Sequence, residues 1–368
     1  MIYLDNAATG FPKSPYVQDA MRQAFFACGN PSRGSHALSG RADEVLYRCR
    51  VLLAQRFGTV PERVILTKNA TEALNLAIKG LYPVHGEVLT SDLEHNAVLR
   101  PLHALRTAGE ITLKQFRVSL SDDHVTVENF RTAAGKTVSM AVVTQGSNVC
   151  GRVLPVKEMR ESVGRRDFLM ILDCSQTAGH IPIDITELGV DAICIPGHKG
   201  LYGPMGTGAL ICHPTRPLVF RTLIEGGSGV LSRSVFMPEE LPERLEAGTP
   251  NVYGIAGLGA ALEEFSYPPK ENALFQKLVK ALKGRKDINL HGYHKNGRYL
   301  PVLLFNKEGE DCEDVARRLA EREIAVRAGL HCAPAAHRAI GTGDVGGVRV
   351  SPGRGNCERD IETLLAVL

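Results

Sequence analysis

Through the first two thirds of the chain, short apolar runs alternate with segments whose apolar residues recur every three or four positions. Val64 to Thr67, Glu87 to Ser91, Ile111 to Phe116, Val138 to Thr144, Leu169 to Asp173, Ala192 to Ile195 and Gly208 to Cys212 read as strands. Between several of them, Ala70 to Leu81, Ala97 to Ala108 and Val156 to Gly164 carry helical spacing. This alternation predicts an α/β architecture, a mostly parallel seven-stranded sheet with helices on both faces. Ligands of such sheets sit beyond the carboxyl ends of the strands. After Pro250 the pattern changes. Val252 to Phe265 reads as a helix of small residues, Lys270 to Leu282 as a basic amphipathic one and Glu313 to Arg322 as a charged one. Val302 to Phe305, Ile324 to Arg327 and Val348 to Val350 are interleaved as strands. The expected organisation is a large domain over residues 13–250 and a smaller α+β domain built from residues 1–12 and 251–368.

Composition narrows the functional classes. Among 368 residues, 43 basic side chains face 40 acidic ones, a balance too even to argue for nucleic acid or a membrane surface as partner. No apolar run approaches the roughly 18 residues of a membrane span. The N-terminus, Met1-Ile2-Tyr3-Leu4-Asp5-Asn6, turns polar at once and does not read as a signal peptide. Nine cysteines are widely spaced with no C-x-x-C pair, so reduced thiols and a cytoplasmic location are expected, with no metal site.

Candidate chemistry lies at the strand ends. Lys199 sits in a glycine-rich turn, Pro196-Gly197-His198-Lys199-Gly200, between two apolar runs, and suits an amine that forms an imine with a flat cofactor. Asn69-Ala70-Thr71-Glu72 follows a strand and opens a helix, with the spacing of a capping box and free amides for a phosphate. Asp173 ends an apolar strand, where a buried carboxylate needs a cation such as a protonated pyridine nitrogen, and Gln176 lies three residues on. His95, between a strand and a helix, offers a face to stack on a ring and a titrating nitrogen. Cys332 lies in a loop of small residues close to His331, His337 and Arg338, and cationic neighbours would lower its thiol pKa. Arg349, inside an apolar strand, needs a carboxylate partner. Each feature alone has an ordinary reading as a cap, a turn or a core residue. The sequence contains no G-x-x-x-x-G-K-[ST] or H-E-x-x-H pattern.

Taken in order, with Tyr3-Leu4-Asp5-Asn6-Ala7-Ala8-Thr9 and Arg33-Gly34-Ser35-His36-Ala37-Leu38-Ser39 ahead of them, these residues resemble the class V, fold-type I pyridoxal-phosphate enzymes. Within that class the chain resembles cysteine desulfurases and selenocysteine lyases. The resemblance implies the fold-type I transferase fold and pyridoxal 5'-phosphate as cofactor. It implies that Lys199 holds the cofactor and moves the substrate α-proton, that Asp173 pairs with the pyridine nitrogen and Gln176 with the phenolic oxygen, and that His95 stacks on the ring. Ala70, Thr71 and His198 would contact the phosphate, with Thr249 supplied by the partner subunit of a homodimer. Asn148, Arg349 and His36 would bind the substrate, L-cysteine or L-selenocysteine, and Cys332 would accept its sulfur as a persulfide. The compact Arg327 to Pro334 segment resembles the group II enzymes, which rely on a sulfur-acceptor protein. Three positions depart from the pattern: Pro196 replaces a hydroxyl-bearing phosphate contact, Leu330 replaces a histidine, and Arg354, in a place commonly aromatic, would alter substrate or partner preference. Two other readings stay open, another class V reaction in which Cys332 is a bystander, and a cofactor-binding regulator without turnover.

Overall fold

A computed structural model of the chain describes residues 1–32, 34–164, 167–267 and 269–368. Seven strands form the central sheet, in the order Val64–Thr67, Gly208–Cys212, Ala192–Pro196, Leu169–Asp173, Val138–Thr144, Gly86–Ser91 and Ile111–Phe116. Gly208–Cys212 runs antiparallel to both of its neighbours, and the other pairs are parallel. The central strands read as continuous apolar runs because both faces are covered. Met170, Leu172, Ile193 and Ile195 point into one core, whereas Ile171, Ala192 and Cys194 point into the other. The helix Ala70–Leu81 covers the second face, and its Ala73, Leu74, Ala77 and Ile78 are fully or almost fully buried there.

The sequence pattern gave no sign of several helices, among them Pro15–Ala27, Ala37–Phe57, Asp123–Ala134 and Glu358–Val367. Ala37–Phe57 is the longest of them at 21 residues, yet four of its seven buried positions are Ser39, Ala42, Cys49 and Ala54, too small to mark a period. Gly58 ends this helix in the left-handed conformation (φ 73°), and a Cβ there would lie 2.2 Å from Asp184 Oδ2, so only glycine fits.

Beyond the large sheet, Ile288–His291, Leu303–Lys307 and Val348–Val350 form a three-stranded antiparallel sheet with Leu303–Lys307 in the centre. The N-terminal strand Ile2–Tyr3 pairs in parallel with Ile324–Ala325, and Leu4 enters the core of this smaller layer. Within residues 251–368, expected as part of the smaller domain, the helix Val252–Glu263 packs Val252, Ile255, Leu258 and Leu262 into the core of the large sheet. Its glycines allow that approach, since a Cβ on Gly257 would lie 2.6 Å from Pro204 and 2.7 Å from Met21. The smaller layer therefore begins after this helix.

Candidate active site

A cavity of about 90 Å³ opens at the carboxyl edge of the sheet, and Lys199, Asp173, His95, Gln176, Thr71 and His198 line it together. Their convergence follows from topology. Thr67, Ser91, Thr144, Asp173 and Pro196 each end a strand at this edge, and the next few residues of each supply the lining.

Lys199 follows strand Ala192–Pro196 in a tight turn closed by hydrogen bonds from Gly203 N–H to Gly197 O and from Tyr202 N–H to Lys199 O. Gly10 rests against that turn, where a Cβ would lie 2.6 Å from Lys199 O. Burial brings the Lys199 amine down to about 8, opposed in part by the negative charge of Asp173. Asp173 is 2% exposed, and its carboxylate accepts one hydrogen bond, from Ser175 N–H to Oδ1 (2.9 Å). A carboxylate this deep needs a cationic partner in the cavity it borders. Gln176 spends one amide N–H on Ala7 O (3.0 Å) and has a second to offer.

His95 caps the helix Asn96–Thr107 and accepts from Ala97 N–H through Nδ1 (3.0 Å), which leaves the proton on Nε2. Burial pushes its pKa down to about 4, so the ring is neutral near pH 7 and can both stack and donate a hydrogen bond from Nε2–H. At the start of Ala70–Leu81, Asn69 Oδ1 accepts from Glu72 N–H (2.9 Å) and Glu72 Oε2 accepts from Lys68 N–H (2.5 Å). The Ala70 and Thr71 N–H groups remain, at the positive end of the helix, on the cavity wall. Pro196 lines the same wall without an N–H, and its backbone pairs with Gly208. His198 meets Thr9 Oγ1 through Nδ1 (3.2 Å). An amine of lowered pKa, a deep carboxylate without a cation, a neutral imidazole and a helix start with free amides together fit pyridoxal phosphate.

Cys332 and Arg349 do not line the cavity themselves but are hydrogen-bonded to residues at its wall. Asn96 N–H donates to Cys332 O (2.8 Å), one residue from His95. Asn148, on the wall, donates from Nδ2 to His331 O (2.8 Å) and accepts from Arg349 Nη1 at its own carbonyl (2.9 Å). The Asn148 amide is thus engaged by the cysteine loop. Arg349 is 3% exposed and donates from Nη2 to Asp5 Oδ1 (2.9 Å), while its Nε–H is buried with no partner. That N–H is the donor left for a carboxylate. His331 and Cys332 lie consecutively in the left-handed region (φ 51° and 54°), a conformation that costs non-glycine residues about 1–3 kcal/mol each and persists only when neighbours enforce it. The Cys332 thiol is exposed, a state it shares only with Cys357 among the free cysteines.

Some expectations change here. His331 and His337 do not supply cations to the thiol, because burial pushes them to about 3 and about 4 and both are neutral near pH 7. Arg354 is not free to meet a substrate, since its guanidinium lies 4.7 Å from the ring centres of both Tyr202 and Phe265 and donates to Ser266 O (3.1 Å). In this chain Thr249 lies outside the cavity and lines a separate, open one of about 740 Å³. His36 is exposed, caps the helix Ala37–Phe57 and does not line the cavity. Arg33, part of the same motif, lies outside the described residues. Asp5, quoted in the N-terminal motif, had no role assigned from sequence. It accepts from Arg327 Nε (2.9 Å) as well as from Arg349 and so joins three segments. The signal available was a carboxylate within an apolar strand and two arginines in others.

Among the described residues no cluster of side chains could hold a metal ion, and no helix is long and apolar enough to cross a membrane. Comparison with known proteins agrees with the geometry. The probable cysteine desulfurase of Methanothermobacter thermautotrophicus is 32% identical over 99% of this chain and 92% of its own length. Its counterpart in Pyrococcus abyssi is 28% identical over 100% and 93%. Among solved structures, the apo cysteine desulfurase of Thermococcus onnurineus superposes with a TM-score of 0.90 at 28% identity, covering 100% of this chain and 93% of that one. The Escherichia coli cysteine desulfurase CsdA gives 0.85 at 27% identity, covering 99% and 93%. The family model for class-V aminotransferases matches residues 2–364, and the chain belongs to that family.

Proposed function

We propose that the chain is a pyridoxal-phosphate-dependent cysteine desulfurase that converts L-cysteine to L-alanine and leaves the sulfur as a persulfide on Cys332. The observation that carries this reading is the tether of an exposed cysteine to the cavity wall. The carbonyls of His331 and Cys332 accept from Asn148 and from the residue after His95, so the segment that carries the thiol is tied to the wall of a cavity that holds Lys199 and Asp173. When bound, pyridoxal phosphate supplies an electron sink that weakens the substrate's Cβ–Sγ bond.

The chain's own residues do the rest. Asp173, ending its strand with one hydrogen bond, favours the protonated ring nitrogen. The free amides of Ala70 and Thr71 receive the phosphate at the helix start, with His198 beside them. The Arg349 Nε–H and its buried guanidinium receive the substrate carboxylate, with Asp5 fixing the plane of the group. Lys199, half-buried and with a lowered pKa, takes the α-proton, and the neutral His95 ring presents its Nε2–H as a hydrogen-bond donor. Cys332 attacks the substrate sulfur as a thiolate. The S–S bond forms as Cβ–Sγ breaks, and the electron pair left on carbon is protonated to give alanine.

The position of Thr249, away from its own cavity, supports a homodimer in which each copy completes the other's phosphate site. Exposure of Cys332 supports hand-over of the persulfide to an acceptor protein. A cytoplasmic location fits the nine unpaired cysteines. The test is alanine formation from L-cysteine by the purified chain, with Cys332→Ala alongside. The reading predicts alanine from the parent chain and almost none from the variant. Full turnover by Cys332→Ala would make the thiol a bystander and point to another class V reaction.

A further inference from the structure

His331 has both ring nitrogens occupied. Nε2 meets Arg327 O (3.2 Å) and Nδ1 meets His337 Nε2 (3.1 Å). His337 Nδ1 in turn meets Thr342 Oγ1 (2.7 Å). Only one pattern of protons satisfies this chain with neutral rings. Thr342, whose hydroxyl lies 2.7 Å from His337 Nδ1 against 3.2 Å from His337 O, donates to Nδ1, His337 Nε2–H donates to His331 Nδ1, and His331 Nε2–H donates to the Arg327 carbonyl. The two rings lie nearly parallel, 5.3 Å between centroids and 11° between planes, and His337 is fully buried. A carbonyl oxygen closes one end and a threonine hydroxyl the other, so the chain has no outlet for a proton and no site from which to deprotonate Cys332. The chain instead holds His331, the residue next to the thiol, in a turn where two consecutive side-chain-bearing residues have positive φ.

We propose that His337 and Thr342 are positioning residues for the Cys332 thiol. They fix the tautomer and orientation of His331, and through it the left-handed turn that carries the sulfur acceptor. The placement of the parts supports this. His337 lies on the short helix Pro334–Ala339 that follows the cysteine turn, and Thr342 is set against it by hydrogen bonds from Thr342 N–H (2.9 Å) and Gly343 N–H (3.0 Å) to His337 O. From the other side, Asn148 and Asn96 hold the carbonyls of His331 and Cys332. The charged groups facing the pair are Arg327 and Arg349, with His291 beside His337, and none offers a carboxylate that would favour a protonated ring. Loss of the His337 donor would leave His331 Nδ1 buried and unsatisfied, and free the ring to turn.

The inference rests on the proposed role of Cys332, and its test separates the two. His337→Gln keeps an N–H donor near the Nε2 position, His337→Leu removes it, and Thr342→Val removes the hydroxyl alone. In single-turnover persulfide formation on holoenzyme, His337→Leu is expected to slow the step by about tenfold or more, with the KM for L-cysteine and the cofactor's visible spectrum unchanged. Thr342→Val should fall between it and the parent, and His337→Gln should recover most of the rate. In parallel, hydrogen exchange of the peptide spanning residues 328–335 should quicken in His337→Leu and return in His337→Gln. A His337→Leu enzyme with parental persulfide formation and exchange, or a His337→Gln enzyme as impaired as the leucine variant, would overturn the proposal. Should the parent chain form no persulfide, the functional reading fails while the exchange comparison still decides whether the strut exists. If His337→Leu does not fold, Thr342→Val, which changes one atom pair, carries the same comparison.

Discussion

Replacing Asp5 by Asn tests how the substrate arginine is held. Asp5 is 6% exposed and bridges Arg349, at 3%, to Arg327. Removing the charge leaves the Arg349 guanidinium buried with only neutral acceptors, Asn148 O and the introduced amide oxygen, and an unsatisfied Nε–H. Breaking a buried ion pair from one side costs about 3–5 kcal/mol. The Arg327 side chain is about half exposed and can turn to water, so the lower end applies, about 3 kcal/mol. With a urea dependence of about 3 kcal/mol/M for a chain of this size, the unfolding midpoint should fall by about 1 M. The double variant Asp5→Leu, Arg349→Met removes both charges, and matched apolar replacement of a buried pair is often neutral. It should recover most of the stability and still turn over no cysteine, because the carboxylate site is gone. A midpoint for Asp5→Asn within about 0.2 M of the parent would refute the reasoning. So would a double variant less stable than the single one, since the buried charge would then not be the cause.

Three further outcomes follow from the same geometry. With the Lys199 amine at about 8, roughly a quarter is neutral at pH 7.5, so the rate at which the cofactor-free chain takes up pyridoxal phosphate should rise with pH through about 8. Asp173→Asn removes the charge that raises this pKa and should move the inflection lower, which a stopped-flow absorbance series would read. Glu94 is buried, its Oε2 has no partner, and burial raises its pKa from 4.5 to about 8. The folded chain then holds a proton that the unfolded chain releases above about 4.5, so this group costs stability progressively from pH 4.5 to 8. Glu94→Gln should abolish that share of the decline in urea midpoint over this window, and parallel curves for both proteins would reject it. Asn69→Ala removes the cap from the helix at the phosphate seat and should cost about 1 kcal/mol in unfolding with weaker cofactor retention on dialysis.

The large sheet was legible because its strands are buried on both faces. Val138–Thr144 and Leu169–Asp173 begin and end where the mostly apolar run does, whereas Ile111–Phe116, at the sheet's edge, keeps Thr112, Lys114 and Gln115 within it. Helices whose inward faces are small or polar were not. Asp123–Ala134 buries Thr126 beside Phe130 and Ala134, and the helix Val252–Glu263 is so uniformly small and apolar that its residues do not show which core they enter. Strand ends gave away Lys199, Asp173, His95 and the Ala70 helix start, because a reactive group at the end of an apolar run stands out. What sequence could not give was charge state and distant pairing. His331 and His337 are neutral only because the fold buries them, and Asp5 meets Arg349 across 344 positions of chain.

The most direct test of the account is chemical trapping at Lys199. Borohydride reduction of the purified, cofactor-loaded chain, followed by peptide mapping, should bleach the yellow chromophore and leave the reduced pyridoxyl group on the Lys199 peptide alone. An unmodified Lys199, with the label on another lysine or on none, would contradict the assignment of the cavity and everything derived from it.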